Sequence, residues 1–140
     1  MSHVVEIQTE VRDADVVQAG CRRLRWPPPE HKEVELFNSR QTGWAVQLPE
    51  WKYPVVCDTE TGRTYFDNYE GRWGDQRHLD RFLQIYAVEK AKLEARKAGH
   101  TAAEQLQSDG SIKVTVTLAT GYGSGGTGYG TRHGAGRGVA

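Results

Sequence analysis

With two cysteines and one methionine in 140 residues, sulfur chemistry has little room here. Cys21 and Cys57 lie far apart, in apolar surroundings, and form neither a CxxC pair nor a Cys/His cluster, which argues against a zinc-finger-like framework. Both read as reduced core thiols. Cys57, between Val56 and Asp58, has no neighbouring base or helix N-terminus to turn it into a nucleophile. No apolar run approaches the ~18 residues that a membrane helix needs, and MSHVVEIQTEVRD carries acids where a signal peptide has a basic start. A soluble, cytoplasmic protein without a membrane partner is expected. Neither sign of charge is in excess, 18 Lys plus Arg standing against 18 Asp plus Glu, so any nucleic-acid binding must come from a local patch.

What is present is enough to fold. A chain of this length buries roughly 70% of its unfolded surface without help from metals or disulfides. Around Val5 and Ile7 the pattern alternates as a strand does, and Asp13 then offers an N-cap to a helix in which Val17, Cys21 and Leu24 recur on one side. The prolines of WPPPEH end that helix. Arg22, Arg23 and Arg25 near its end suit the negative end of the helix dipole. Short apolar segments at 34–37, 44–48, 53–58 and 64–69, separated by turn-prone residues, read as four strands of an antiparallel meander. Trp44 and Trp51 read as core or strand cover.

A long helix is expected from Asp75, as N-cap, to Ala98, with Gly99 as its left-handed stop. Leu79, Phe82, Leu83, Tyr86 and Leu93 form its apolar stripe, and about 34 Å of length lets it cross a sheet. Asp109-Gly110 then turns a hairpin whose Ile112, Val114, Val116 and Leu118 alternate inward. The order β-α-β-β-β-β-α-β-β predicts an α+β domain over residues 1–119, an antiparallel sheet with two helices packed on one face. Residues 120–140, nearly half glycine from Gly121 onward, read as a disordered Gly-rich tail.

The opening MSH with its strand and VRD, the block FDNYEGRWGDQRHLDRFLQIYAVEKAKLEARKAGH and the closing DGSIKVTV together resemble the domain-of-unknown-function 1257 family. These are bacterial relatives of a hypothetical chloroplast open reading frame also found in cyanobacteria. The resemblance covers Met1 to about Leu118 and implies a small α+β cytoplasmic protein. Genes of that family sometimes neighbour those of MoxR-type ATPases, which implies an accessory or adaptor role beside such an ATPase. The family defines no catalytic residues to carry over. The tryptophan-rich middle and the glycine-rich tail depart from the chloroplast pattern, which puts a plastid role in doubt.

Three constellations could carry function. Tyr65, Tyr69, Arg72, Trp73, Arg77 and Arg81 are the residue types that dominate binding hot spots, and two glycines frame Arg72 and Trp73. Asp67, Asp75 and His78 are the acids and histidine close enough for acid/base work. Metal binding needs three or four converging ligands, so capping by Asp75 and pairing of Asp80 with Arg77 or Arg81 explain these residues more simply. Tyr122, Tyr129, Arg132 and Arg137 in the tail have the composition of segments that stack on single-stranded RNA, although two cations hold few phosphates. GYGSGG at 121–126 fits GxGxxG in form, but no helix and acid follow it, which excludes a dinucleotide fold. The reading is a non-enzymatic adaptor that meets a protein partner through the 65–81 surface, with no metal and no cofactor; RNA binding and an unrecognised enzyme are the alternatives.

Overall fold

Asp13 starts the first helix through its own carboxylate, whose Oδ1 accepts from the amides of Asp15 and Val16 at 3.0 and 3.3 Å. The computed structural model describes the backbone of residues 5–7, 10–118 and 130–133 and the side chains of 10–118. In chain order it runs β1 (Val5–Ile7), α1 (Ala14–Leu24), β2 (Glu30–Glu35), β3 (Arg40–Val46), β4 (Val55–Asp58) and β5 (Arg63–Phe66). A short 3-10 turn at Tyr69–Gly71 leads to α2 (Gln76–Lys97), followed by β6 (Thr101–Leu106), β7 (Ile112–Thr117) and β8 (Gly130–His133). The α+β class and the element order through β7 are those expected. Among the described residues no helix is long and apolar enough to cross a membrane.

The sheet is where expectation and structure part. Instead of one sheet there are two antiparallel ones, a five-stranded sheet in the order β1-β5-β4-β3-β2 and a three-stranded sheet in the order β6-β7-β8. Among the described residues the strands after α2 have no partner in the first sheet; they build their own. Within the stretch expected as tail, Gly130–His133 pair with Ile112–Thr115 of β7, and the rest of that stretch lies outside the described residues. Leu118, expected inward, sits one residue past β7 and is 41% exposed.

Both helices pack on one face of the first sheet. Val46, Val55, Cys57 and Phe66 project from β3, β4 and β5 against Val17 and Cys21 of α1 and Leu79, Phe82, Leu83 and Tyr86 of α2. Each fully buried side chain of this size contributes about 1.5–3 kcal/mol. The Tyr86 hydroxyl accepts from the amides of Arg12 and Asp13, both at 3.1 Å, and so fixes the entry to α1. The two thiols lie in this core; burial pushes Cys57 up to about 12 and Cys21 to about 11, which keeps both protonated and unreactive. On its other side α2 packs Ile85 and Val88 against Ile112 and Val114 of the second sheet.

The face of the first sheet turned away from the helices is also apolar. Val34 and Leu36 gather there with Ala45, Val56, Tyr53 and Tyr65, and Phe37 reaches a ring-centroid distance of 5.4 Å from Trp73. The tip of the β2–β3 hairpin therefore folds back across that face. Gly43 lies in the hairpin where a Cβ would press into the Cys57 carbonyl, so no larger residue fits.

One ion network ties α1, α2 and β6. Arg23 donates to Glu89 at 2.8 Å and to Glu104 at 2.7 Å, and Lys92 reaches Glu104 at 2.6 Å. Arg23 thus does more than complement a helix dipole. Hydrogen bonds from Arg23, aided by Lys92, hold the Glu104 carboxyl at about 2 against an ordinary 4.5, outweighing the opposite pull of partial burial. A carboxyl depressed in the folded state stabilises above its unfolded pKa and loses that contribution as pH falls toward the folded value. Glu104→Gln should lower stability at pH 7 by roughly 1–2 kcal/mol. It should also flatten the decline between pH 4.5 and about 2, where the Glu104 contribution is lost. Urea unfolding of both proteins across that range checks both statements.

Candidate interaction surface

The turn between β5 and α2 is held in a conformation that most sequences avoid. Tyr69 and Glu70 have φ of 47° and 54°, and Gly71 follows at 93°, so three successive residues are left-handed. For the two that are not glycine this costs about 1 kcal/mol each. Local hydrogen bonds hold the turn in place. The Asn68 carbonyl accepts from the amides of Gly71 at 3.0 Å and Trp73 at 2.9 Å, and Arg72 N donates to the Tyr69 carbonyl at 3.0 Å. Beneath them the buried Asp67 accepts from the Tyr69 amide at 3.2 Å.

The second support comes from the β3–β4 loop. Trp51 is buried with its indole directly on Gly74, leaving no room there for a Cβ, and its Nε1 donates to the Asp75 carbonyl at 3.1 Å. Lys52 N donates to the Trp73 carbonyl at 2.8 Å. The two loops are thereby zipped together, with Trp73 at the seam.

Four rings meet on the outside of that seam. Trp73 lies 4.7 Å from Tyr69, 5.7 Å from Tyr53 and 5.4 Å from Phe37, centroid to centroid, in tilted or edge-on pairs. Two cations cap the rings: Lys52 Nζ is 4.4 Å from the Trp73 centroid and the Arg72 guanidinium 5.1 Å from that of Tyr69. Phe37 is 54% exposed, Arg72 and Lys52 are exposed, and the other three rings are half-buried. Among the described residues neither cation has a carboxylate partner.

Of the six residues read from the sequence, the structure brings together Tyr69, Arg72 and Trp73. Tyr65 lies half-buried over the outer sheet face beside Val56. Arg77 is taken up by Asp75 at 2.8 Å, and Arg81 by the Gln84 amide oxygen at 3.1 Å. Asp80, expected to pair with one of these arginines, accepts instead from Gln76 at 3.2 Å. Phe37, Lys52 and Tyr53 were missed because they looked like strand residues or their flank. Pro54 gave a signal, since a residue without an N–H at that point ends the pairing of β4 and frees Tyr53.

Asp67, Asp75 and His78, read together as the acids and histidine of a candidate acid/base set, have different surroundings. Asp67 is fully buried under the turn, Asp75 caps α2 by accepting from the Arg77 amide at 2.9 Å, and His78 meets Trp26 edge-on at 6.5 Å. Hydrogen bonds from the Arg77 side chain and amide hold the Asp75 carboxyl at about 2, which makes it a poor general base. No group of three or more His, Cys, Asp or Glu side chains among the described residues could hold a metal.

Gly74→Ala should be among the most damaging substitutions near the turn, since the added methyl must displace a buried indole. A loss of about 2 kcal/mol or more in urea unfolding is expected. Gly71→Ala, with open space around it, should cost only the ~1 kcal/mol of its left-handed backbone. Equal losses in the two variants would mean that Trp51 does not clamp the turn. No protein-family model, no curated protein and no solved structure matches the chain.

Proposed function

We propose that the protein is a non-enzymatic accessory protein that docks a partner protein on the ring cluster around Trp73. One observation carries this reading: four aromatic rings and two cations without carboxylate partners among the described residues share one outward surface, on a turn whose strain is offset by the packing of Trp51. Rigid rings lose little entropy on binding, and Tyr, Trp and Arg are the types in which binding energy concentrates. The rings suit prolines or apolar side chains of a partner segment, and Lys52 and Arg72 suit carboxylates flanking them. The resemblance of the central block to the 1257 family makes a MoxR-type ATPase the first partner to test.

The test is affinity capture from the native cell, with partners identified by mass spectrometry. Arg72→Ala with Trp73→Ala should weaken the specific partner by roughly 30-fold, the equivalent of about 2 kcal/mol, while the urea midpoint falls by far less than in Gly74→Ala. An unchanged set of captured proteins would refute the surface. Capture of RNA in place of protein, lost on raising salt, would favour nucleic-acid binding instead.

A further inference from the structure

The three arginines near the end of α1 have different fates. Arg23 is taken up by Glu89 and Glu104. Arg22 and Arg25, on either side of it, are exposed and have no hydrogen-bond or ion-pair partner for their guanidinium groups among the described residues. Instead both line a cleft of about 330 Å³, together with Gln18, Trp26, Pro28 and Pro29. Among the described residues no acid lines the cleft, and its size lies at the lower end of the range for small-molecule sites, about 300–1,000 Å³.

Its geometry is fixed in advance. Arg25 occupies the left-handed cap of α1, φ 62°, a position that ordinarily falls to glycine. The motif is closed by Arg25 N donating to the Arg22 carbonyl at 3.1 Å and Trp26 N to the Cys21 carbonyl at 2.9 Å. The cap thus sets where the Arg25 side chain departs from the backbone. Trp26 is held by Phe82, stacked at 6.2 Å and 22°, and by His78 edge-on at 83°. Its half-buried ring faces the cleft beside a proline ridge that has little conformational freedom to lose.

We infer that this cleft binds a small phosphate ester bearing a flat ring, of the nucleoside monophosphate class. Two guanidinium forks match a dianionic phosphate in charge and in paired hydrogen bonds, which a single carboxylate would leave half used. Trp26 offers the apolar platform for a ring, and the Gln18 amide can both donate and accept at the ligand's polar edge. The site shares no residue with the ring cluster around Trp73, so the two readings stand or fall separately.

The experiment is calorimetric titration of the full chain with the four 5′-nucleoside monophosphates, the matching nucleosides and inorganic phosphate, supported by tryptophan fluorescence. At least one monophosphate should bind saturably, roughly ten-fold or more tightly than its nucleoside and than phosphate alone. Arg25→Gly is the informative variant: it removes the guanidinium, and glycine accepts the left-handed cap, so folding is preserved. It should weaken binding about ten-fold, and Arg22→Gln should do the same. Three results would overturn the inference: no saturable binding at millimolar ligand, phosphate binding as tightly as its esters, or both variants binding like the wild type.

Discussion

The middle of α2 is buried on every side, and the rest of the structure depends on that burial. From Phe82 to Val88 no residue is exposed. Phe82, Leu83 and Tyr86 serve α1 and the first sheet, while Ile85 and Val88 serve the second. Since the two sheets share no strand pairing, the helix is the wall common to both. Even Gln84 is buried, and it is satisfied by donating to the Gly110 carbonyl at 2.9 Å, which pins the β6–β7 turn to the helix. Entry to α1 is fixed by Tyr86 and the start of α2 by Trp51, so the helix sets the geometry at both ends of the molecule's larger core.

This burial explains what the sequence disclosed and what it hid. Signals written in a few adjacent residues were legible: Asp13 and Asp75 as caps, Gly99 and Asp109-Gly110 as turn points, and the alternation along β7. The apolar stripe of Leu79, Phe82, Leu83 and Tyr86 was legible too. It describes only one side of the helix, however, and a stripe with one partner implies one sheet. Ile85 and Val88 belong to the opposite side, and a helix apolar all round has lost the asymmetry that would announce two partners. The fold-back of the β2–β3 hairpin was equally hidden, because Gly43 marks the close approach to Cys57 without saying how far the tip travels.

The ring cluster divides along the same line. Tyr69, Arg72 and Trp73 are within five residues of one another and could be grouped on composition. Phe37, Tyr53 and Lys52 come from other loops, brought in by the hairpin tip and by the amide of Lys52 on the Trp73 carbonyl. Arg77 and Arg81 point the other way: near in sequence, they are committed to Asp75 and Gln84 on the helix surface. Left-handed φ at two non-glycine residues leaves no mark in a propensity scale, and it is this backbone path, held by Asn68 and Trp51, that sets Tyr69 against Trp73.

Global neutrality conceals local choice in the same way. The charges cancel over the chain, but they are not matched pair by pair. Glu30, Glu33 and Glu35 on the β2 edge find Lys32 and Arg40, and Glu89 and Glu104 absorb Arg23 and Lys92. Among the described residues Lys52, Arg72, Arg22 and Arg25 have no acid partner, as is also true of Arg96, Lys97 and Lys113; Lys52 and Arg72 lie over the Trp73 and Tyr69 rings, and Arg22 and Arg25 line one cleft with Trp26. Solvated surface lysines and arginines usually hold water or a nearby carboxylate, and neither requires a ring or a fixed backbone beside them. Cations kept free of acids, beside rings whose positions are set by buried packing, are the feature on which both proposed sites rest.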